Sequence, residues 1–248
     1  MDVRPSSEVL QQTEGKGFQN QHIQFESEAG IEIDARLYFR IHPAEIRQYC
    51  CWPVSCPICW RQRSRRREEW CWFSNRGILS RMTIGGPYVG NWLANTRAEQ
   101  IGVSLPGRRA HDILGGVDLL CSRKDVDPGS IRAGGQGVKG IWLLLAAAAD
   151  RRIQKAWLDK TPYSLFEALQ NTLNTSLYDA VIPGFVLHWD LEDLVELMRG
   201  RPVIWTDPTD WMGRVVSVGP RFQYRWVLGD LTDQSDAQDI GYAQELMK

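Results

Sequence analysis

Gly135-Gln136-Gly137-Val138-Lys139-Gly140 is the run in this chain whose residue types and spacing bear most directly on chemistry. Residues 130–133 before it read as a short strand, and residues 138–150 as an apolar, Ala-rich helix buried nearly all round. A strand entering a helix through Gly134, Gly135, Gln136 and Gly137 must turn tightly, and glycine permits the positive φ and close backbone approach that this needs. Three readings stay open. In a G-x-S-x-G nucleophile elbow, the register places Gly137 where the serine would stand and Lys139 where the closing glycine would. In a G-x-G-x-x-G dinucleotide fingerprint, Gly135, Gly137 and Gly140 would approach a pyrophosphate held on helix N-terminal amides, with Asp159 about 20 residues on as the ribose ligand. Such a fingerprint usually opens the first strand–helix unit, whereas Gly135 is preceded by 134 residues. In the third reading the glycines only let the helix lie close on the sheet.

A second concentration of reactive residue types lies upstream. Cys50, Cys51, Cys56, Cys59 and Cys71 fall close together, with Trp52, Trp60, Trp70 and Trp72 and with Arg61, Arg63, Arg65, Arg66 and Arg67. Cys56-Pro57-Ile58-Cys59 is a C-x-x-C pair that Cys50, Cys51, Cys71 or His42 would complete as a tetrahedral zinc site. The second C-x-x-C of a zinc ribbon is missing, so no metal and no other cofactor is assigned. The arginines beside Trp60 and Trp70 fit either a phosphate-and-base surface or a solvated face, and the short run favours the latter.

The elements that would position these groups read as follows. Residues 1–20 are polar and form a flexible N-terminal arm, and residues 21–248 are one domain. Ile23 and Phe25, a turn at Ser27–Gly30, and Ile31, Ile33, Ala35, Leu37 and Phe39 alternate with polar neighbours, which predicts an antiparallel hairpin. Ala110, Ile113, Leu114, Val117, Leu120 and Cys121 make one stripe on a helix over 109–123. Residues 153–158 and 202–206 read as strands, and residues 165–173 and 191–198 as helices. Strands alternating with helices predict an α/β fold with a mainly parallel sheet flanked by helices. About 40–85 follows neither period. Its Arg, Cys, Trp and Ser content is that of a GC-rich frame translated out of register, of a segment drifted beyond recognition, or of disorder. Under the out-of-register reading, its cysteines and arginines have no selected role and the sheet lacks central strands.

From about Arg97 to Trp211 the chain resembles the α/β-hydrolase superfamily, in particular its acetyl xylan esterase-like and prolyl-oligopeptidase-like, dienelactone-hydrolase-related members. The helix AHDILGGVDLLCSR, the lead KDVDPGSIRAGGQG, the helix ending AAAADRRI and the strand before Asp210 carry it. GIEIDARLYF resembles the opening strands of that group. The resemblance implies an α/β-hydrolase-like sheet with an N-terminal antiparallel hairpin. It also implies that the family serine falls on Gly137, with Gly135, Gln136, Val138 and Lys139 around it, and the family acid on Asp210, with Asp207 the near alternative. The family histidine lies downstream of the acid, and no histidine follows His188. Without the hydroxyl no acyl-enzyme forms, and without the imidazole nothing takes or returns its proton. Losing such a unit costs on the order of 10⁶ in turnover.

The expectation is therefore a degenerate esterase-like domain, a non-catalytic structural or carbohydrate-binding module. Its partners would be a carbohydrate or acyl-ester ligand and a neighbouring catalytic domain in a longer protein. The alternatives are an active carboxylic-ester hydrolase with an unrecognised nucleophile, for which Ser104 and Ser164 are the nearest serines, and a dinucleotide-binding βαβ unit. Trp189, Trp205 and Trp211 near the strand end before Asp210 would line a sugar cleft or fill the core. Asp118 reads as a surface or loop-tying carboxylate, and His111 and His188 as exposed or capping residues. Lys and Arg total 29 against 30 Asp and Glu, a net charge of −1, so nucleic acid is not an expected partner. No apolar run reaches the roughly 18 residues of a membrane span, and the first fifteen residues show no apolar signal core.

Overall fold

The hairpin shows how alternation becomes packing. In a computed structural model that describes residues 7–15, 18–42, 45–49, 58–64, 67–73, 92–124, 126–171, 174, 176–198, 200–217 and 225–227, β2 (Phe18–Glu28) and β3 (Ile31–His42) pair antiparallel. The register sets Ile23 opposite Ala35 and Phe25 opposite Ile33, and all four side chains are buried. The intervening Gln24 and Asp34 are half-buried and the flanking Glu26 and Glu32 exposed, as a two-residue period on a one-sided core requires. Gly30 supplies the positive φ of the turn, at 77°. Residues 7–15 of the expected arm are a strand, β1 (Ser7–Gly15), which adds antiparallel to β2.

The stretch 40–85 is not a gap in the sheet. It contains the backbone of β4 (Glu45–Tyr49), β5 (Ile58–Ser64) and β6 (Arg67–Phe73). Ten strands run in the order β1-β2-β3-β4-β6-β5-β7-β8-β9-β10, where β7 is Ile131–Gln136, β8 Ile153–Asp159, β9 Val203–Thr206 and β10 Arg225–Val227. The expectation of a mainly parallel sheet is corrected here. From β7 to β10 the pairing is parallel, but β5 runs antiparallel to both β6 and β7. Two residues between β5 and β6 suffice for a hairpin, whereas a parallel return takes a dozen or more. Strand edges need hydrogen-bond partners whatever side chains they carry, so a segment without a hydrophobic period can still complete the sheet. Cys59 and Cys71 lie on β5 and β6, opposite Trp72 and Trp60; Cys50, Cys51 and Cys56 lie outside the described residues.

Helices lie along this sheet. α1 (Trp92–Gln100), which no apolar stripe announces, buries only Ala94 and Asn95 and precedes α2 (Leu105–Ser122). Ser104 caps α2 by accepting the Gly107 N–H at 3.2 Å, and Gly115 lies so close to the hairpin that a Cβ there would sit 3.1 Å from Ser27 Cβ. α3 (Val138–Ala149) packs on β7 and β8 and beside α2 and α5 (Leu191–Leu197). Ile141, Leu143, Leu144, Ala146 and Ala147 on α3 are fully buried, and each large one contributes about 1.5–3 kcal/mol by leaving water. Asp118 ties α2 to the turn before β8 through Arg152, at 2.6 Å. α4 (Leu165–Gln170) and 3₁₀ turns at Leu177–Asp179 and Phe185–Leu187 fill the connection from β8 to β9. Among the described residues no helix is long and apolar enough to cross a membrane.

Candidate functional site

Three adjacent parallel strands, β7, β8 and β9, end at one edge of the sheet, and each is followed by a residue of positive φ. These are Gly137 at 60°, Lys160 at 45° and Asp207 at 46°. They form a staircase in which the Gly137 N–H donates to the Asp159 carbonyl and the Lys160 N–H to the Thr206 carbonyl, both at 2.9 Å. Beneath it runs a chain of side chains. Gln136 Nε2 donates to Asp159 Oδ2 at 2.7 Å, Thr206 Oγ1 to Asp159 Oδ1 at 2.8 Å, and Trp157 Nε1 to Thr206 Oγ1 at 2.9 Å. A buried carboxylate that accepts on both oxygens costs least when each lone pair is used, and here one carboxylate locks three strand ends. Asp159 is 3% exposed and fully engaged, so it does not present the free ribose ligand of the dinucleotide reading.

Gly137 stands at the strand–helix turn with φ 60° and ψ −142°, as the N-cap of α3 without a side-chain cap. A Cβ added there would meet nothing within 4 Å, so only the dihedral selects glycine. Val138 and Lys139 form the first turn of α3 and are half-buried. Gly135 and Gly140 differ from Gly137. A Cβ at Gly135 would lie 2.9 Å from Gly140 Cα, and one at Gly140 would lie 2.0 Å from Thr161 Oγ1. The close approach that an elbow needs after its apex therefore falls on Gly140 rather than on Lys139. The six-residue motif joins one glycine of unusual dihedral to two of tight contact.

Asp210 lies in the turn beyond β9 and is 8% exposed. Its Oδ1 accepts the Met212 and Arg214 N–H groups at 2.9 Å each, and its Oδ2 accepts Arg214 Nε at 2.7 Å. Burial alone would raise this carboxyl, but the Arg214 backbone and guanidinium and the Met212 N–H outweigh it and hold it below its ordinary range. An acid that orients a catalytic imidazole points its oxygens at that ring; Asp210 folds its own turn instead. Asp207 is half-buried at the left-handed position.

The histidines lie elsewhere. His22 on β2 faces Asp34 at 3.7 Å, His111 on α2 faces Glu28 at 3.2 Å, His188 is exposed after the second 3₁₀ turn, and His42 lies at the end of β3 opposite Glu45. The two alternative nucleophiles are helix caps. Ser104 caps α2, and Ser164 caps α4 by accepting the Glu167 N–H at 3.1 Å while donating its own proton to Asp190 Oδ2 at 2.5 Å. Of the two alternatives for the tryptophans, Trp205 and Trp211 fill the core: each is 1% exposed, and their indole N–H groups donate to the Thr161 and Ser164 carbonyls. Trp189 is 47% exposed. Sequence reasoning missed Thr161, Glu167 and Arg214, which carry no motif and matter only through what they touch. Glu167 is pushed up by burial and then by Asp210. No group of three or more His, Cys, Asp or Glu side chains among the described residues is arranged to hold a metal.

No family model matches the sequence, and no curated protein does. Solved structures match by shape. A provisional acetyl xylan esterase of Bacteroides fragilis superposes with a TM-score of 0.62 at 13% identity, over 82% of this chain and 63% of its own length. Acetyl xylan esterase 1 from Thermoanaerobacterium gives 0.55 at 11% identity, over 99% of this chain and 89% of its own. A glucuronoyl esterase from Solibacter usitatus gives 0.52 at 12%, over 99% and 87%. The fold is α/β-hydrolase-like, of the kind found in these carbohydrate esterases. The chain spans 63% of the length of the Bacteroides protein.

Proposed function

We propose that this chain is an esterase-like domain without catalysis, a structural or carbohydrate-binding module that works beside a catalytic domain. One observation carries the reading: the turn after β7 has the positive φ and the open space that an elbow apex would need, and the residue there is Gly137. A nucleophile would fit there sterically, yet no side chain exists to attack. The acid position supports the same reading, because Asp210 is consumed by Met212 and Arg214 rather than aimed at an imidazole. Oxyanion-type amides alone would leave about 10³-fold over solvent, too little for a dedicated enzyme.

The test is fluorophosphonate labelling together with aryl acetate hydrolysis by the purified chain. The expected result is no label and no turnover above that of the Gly137→Ala variant. Stoichiometric acylation of any residue would favour an active ester hydrolase and reject the proposal. Thermal stabilisation by a nicotinamide dinucleotide would instead favour the βαβ reading.

A further inference from the structure

Hydrogen bonds hold the six-residue helix α4 to the rest of the domain at two places. At its start, Asp190 accepts the Ser164 hydroxyl and the Leu165 N–H, and Trp211 donates its indole N–H to the Ser164 carbonyl at 2.6 Å. Further along, the Trp211 main-chain N–H donates to the Glu167 carboxylate. Among the described residues little else fastens the helix. Only Leu165 and Ala168 are buried, while Phe166 and Leu169 are 52% and 65% exposed. A helix shorter than about 12–15 residues does not persist on its own, so these contacts decide whether α4 stays formed.

The second hold sets one carboxyl beside another. Asp210, next to Trp211 in the chain, is buried and kept ionised by the Met212 and Arg214 N–H groups and the Arg214 guanidinium. Glu167 Oε1 accepts the Asn171 amide, but Oε2 is buried and has no hydrogen-bond partner. The charged and titratable groups facing this carboxyl are Asp210 and Arg214 from the turn beyond β9 and Tyr163 from the segment before α4; Tyr163 in turn meets Asp190 from the start of α5. Arg214, the one cation among them, is 76% exposed and already bound to Asp210. Burial first, and Asp210 second, push the Glu167 carboxyl above its ordinary range, and the Trp211 N–H, Asn171 and Arg214 only partly offset them.

We propose that the contact between Glu167 and Trp211 is a proton-operated latch: protonated Glu167 closes α4 on the turn that carries Asp210, and ionised Glu167 releases α4 from that residue onward while the Ser164 end stays tied. The raised carboxyl fixes the direction. Closure is whole below the ordinary value of 4.5 and is lost as pH rises through the raised one. Each unit by which closure raises that value weakens closure about tenfold once the carboxyl has ionised. Asp210 stays ionised across this range, because its own carboxyl is held below 3.8. The turn around Asp210, whose side chain is buried in the closed form, therefore opens to solvent only at the higher pH. The latch needs no nucleophile, so it stands or falls separately from the non-catalytic reading.

The test is hydrogen exchange of the full chain read by mass spectrometry from about pH 4 to about pH 8 and corrected for intrinsic exchange, with the Glu167 carboxyl followed by ¹³C NMR. Protection of the peptide spanning 165–171 should fall at least about threefold as pH rises, with the midpoint of the Glu167 titration, while protection of α3 stays level. Glu167→Gln cannot ionise and should keep α4 protected throughout. A Glu167 midpoint at or below 4.5 in the wild-type chain overturns the latch whether or not the variant folds. So does level protection of α4 across the range, an equal loss in α3, or an unchanged pH response in Glu167→Gln.

Discussion

Gly140→Ala is expected to destabilise the fold because of Thr161, and removal of the Thr161 side chain should undo most of the damage. The added Cβ would lie 2.0 Å from Thr161 Oγ1, 2.9 Å from Cγ2 and 3.0 Å from Cβ. Thr161 has no room to retreat. It is fully buried, its hydroxyl donates to the Asp159 carbonyl at 3.3 Å, and its own carbonyl accepts Trp205 Nε1 and the Thr209 N–H at 3.1 Å each. Overpacking of this kind costs about 1–3 kcal/mol. For a chain of this size each kcal/mol is about 2–4 °C of Tm. Thr161→Ala removes the two nearest atoms, and alanine in a helix gains up to about 1 kcal/mol over glycine. Gly140→Ala should therefore be near neutral in the Thr161→Ala background, with a coupling of about 1–3 kcal/mol in a double-mutant cycle read by urea unfolding. Gly137→Ala is the control. Its cost of about 1–3 kcal/mol comes from the backbone dihedral and should not change with Thr161→Ala. If the Gly140 and Thr161 changes add independently, or if Gly140→Ala is silent, the helix does not lie on the sheet as described.

Asp210→Ala should cost about 1–3 kcal/mol, because the Met212 and Arg214 N–H groups lose their acceptor. Arg214→Ala should cost at most about 1 kcal/mol, since its side chain is 76% exposed. The Asp210 carboxyl is held below its ordinary value of 3.8, so its stabilisation is whole above that value and is lost as pH falls through the depressed one; acid unfolding should be flatter in Asp210→Asn. Glu167 has the opposite sign. Its carboxyl is raised above 4.5 by burial and by Asp210, so its folded form is favoured below that pH and loses stability as pH rises through the raised value; Glu167→Gln should raise Tm at neutral pH and leave it unchanged at pH 4. Ser164→Ala should cost about 1 kcal/mol as a lost helix cap and leave any residual ester hydrolysis untouched, and a loss of turnover without loss of stability would make Ser164 a nucleophile. Under the out-of-register account of 40–85, one of the other two frames of the gene would restore alternating Val, Leu and Ala strands; if neither frame does, that account fails and β4, β5 and β6 are strands of the sequence as read.

Legibility followed locality. The hairpin could be read because Ile23, Phe25, Ile33 and Ala35 must all face one core, and α2 and α3 because their apolar residues recur at helical spacing. The β7–Gly137–α3 turn was equally visible, since a glycine run between a strand and an apolar helix has few other folds open to it. The knot around Asp210 could not be read. Arg214 is an ordinary arginine in the sequence, and it becomes Asp210's partner only because the turn after β9 closes on itself. Trp205 and Trp211 stand near a strand end in sequence whether they line a cleft or fill the core, and only their burial decides between the two.

By itself the sequence determined that no hydroxyl stands at residue 137 and that no histidine lies between residues 189 and 248, because composition and order do not depend on folding. It also determined the hydrophobic periods, and with them most of the strands and helices after Arg97. Tertiary structure alone decided that β5 enters the sheet antiparallel to β7, that Asp159 locks three strand ends, and that Gly140 rather than Lys139 provides the close approach behind the turn. These are relations between residues distant in the chain, set by which strand edges and side chains meet when the core closes.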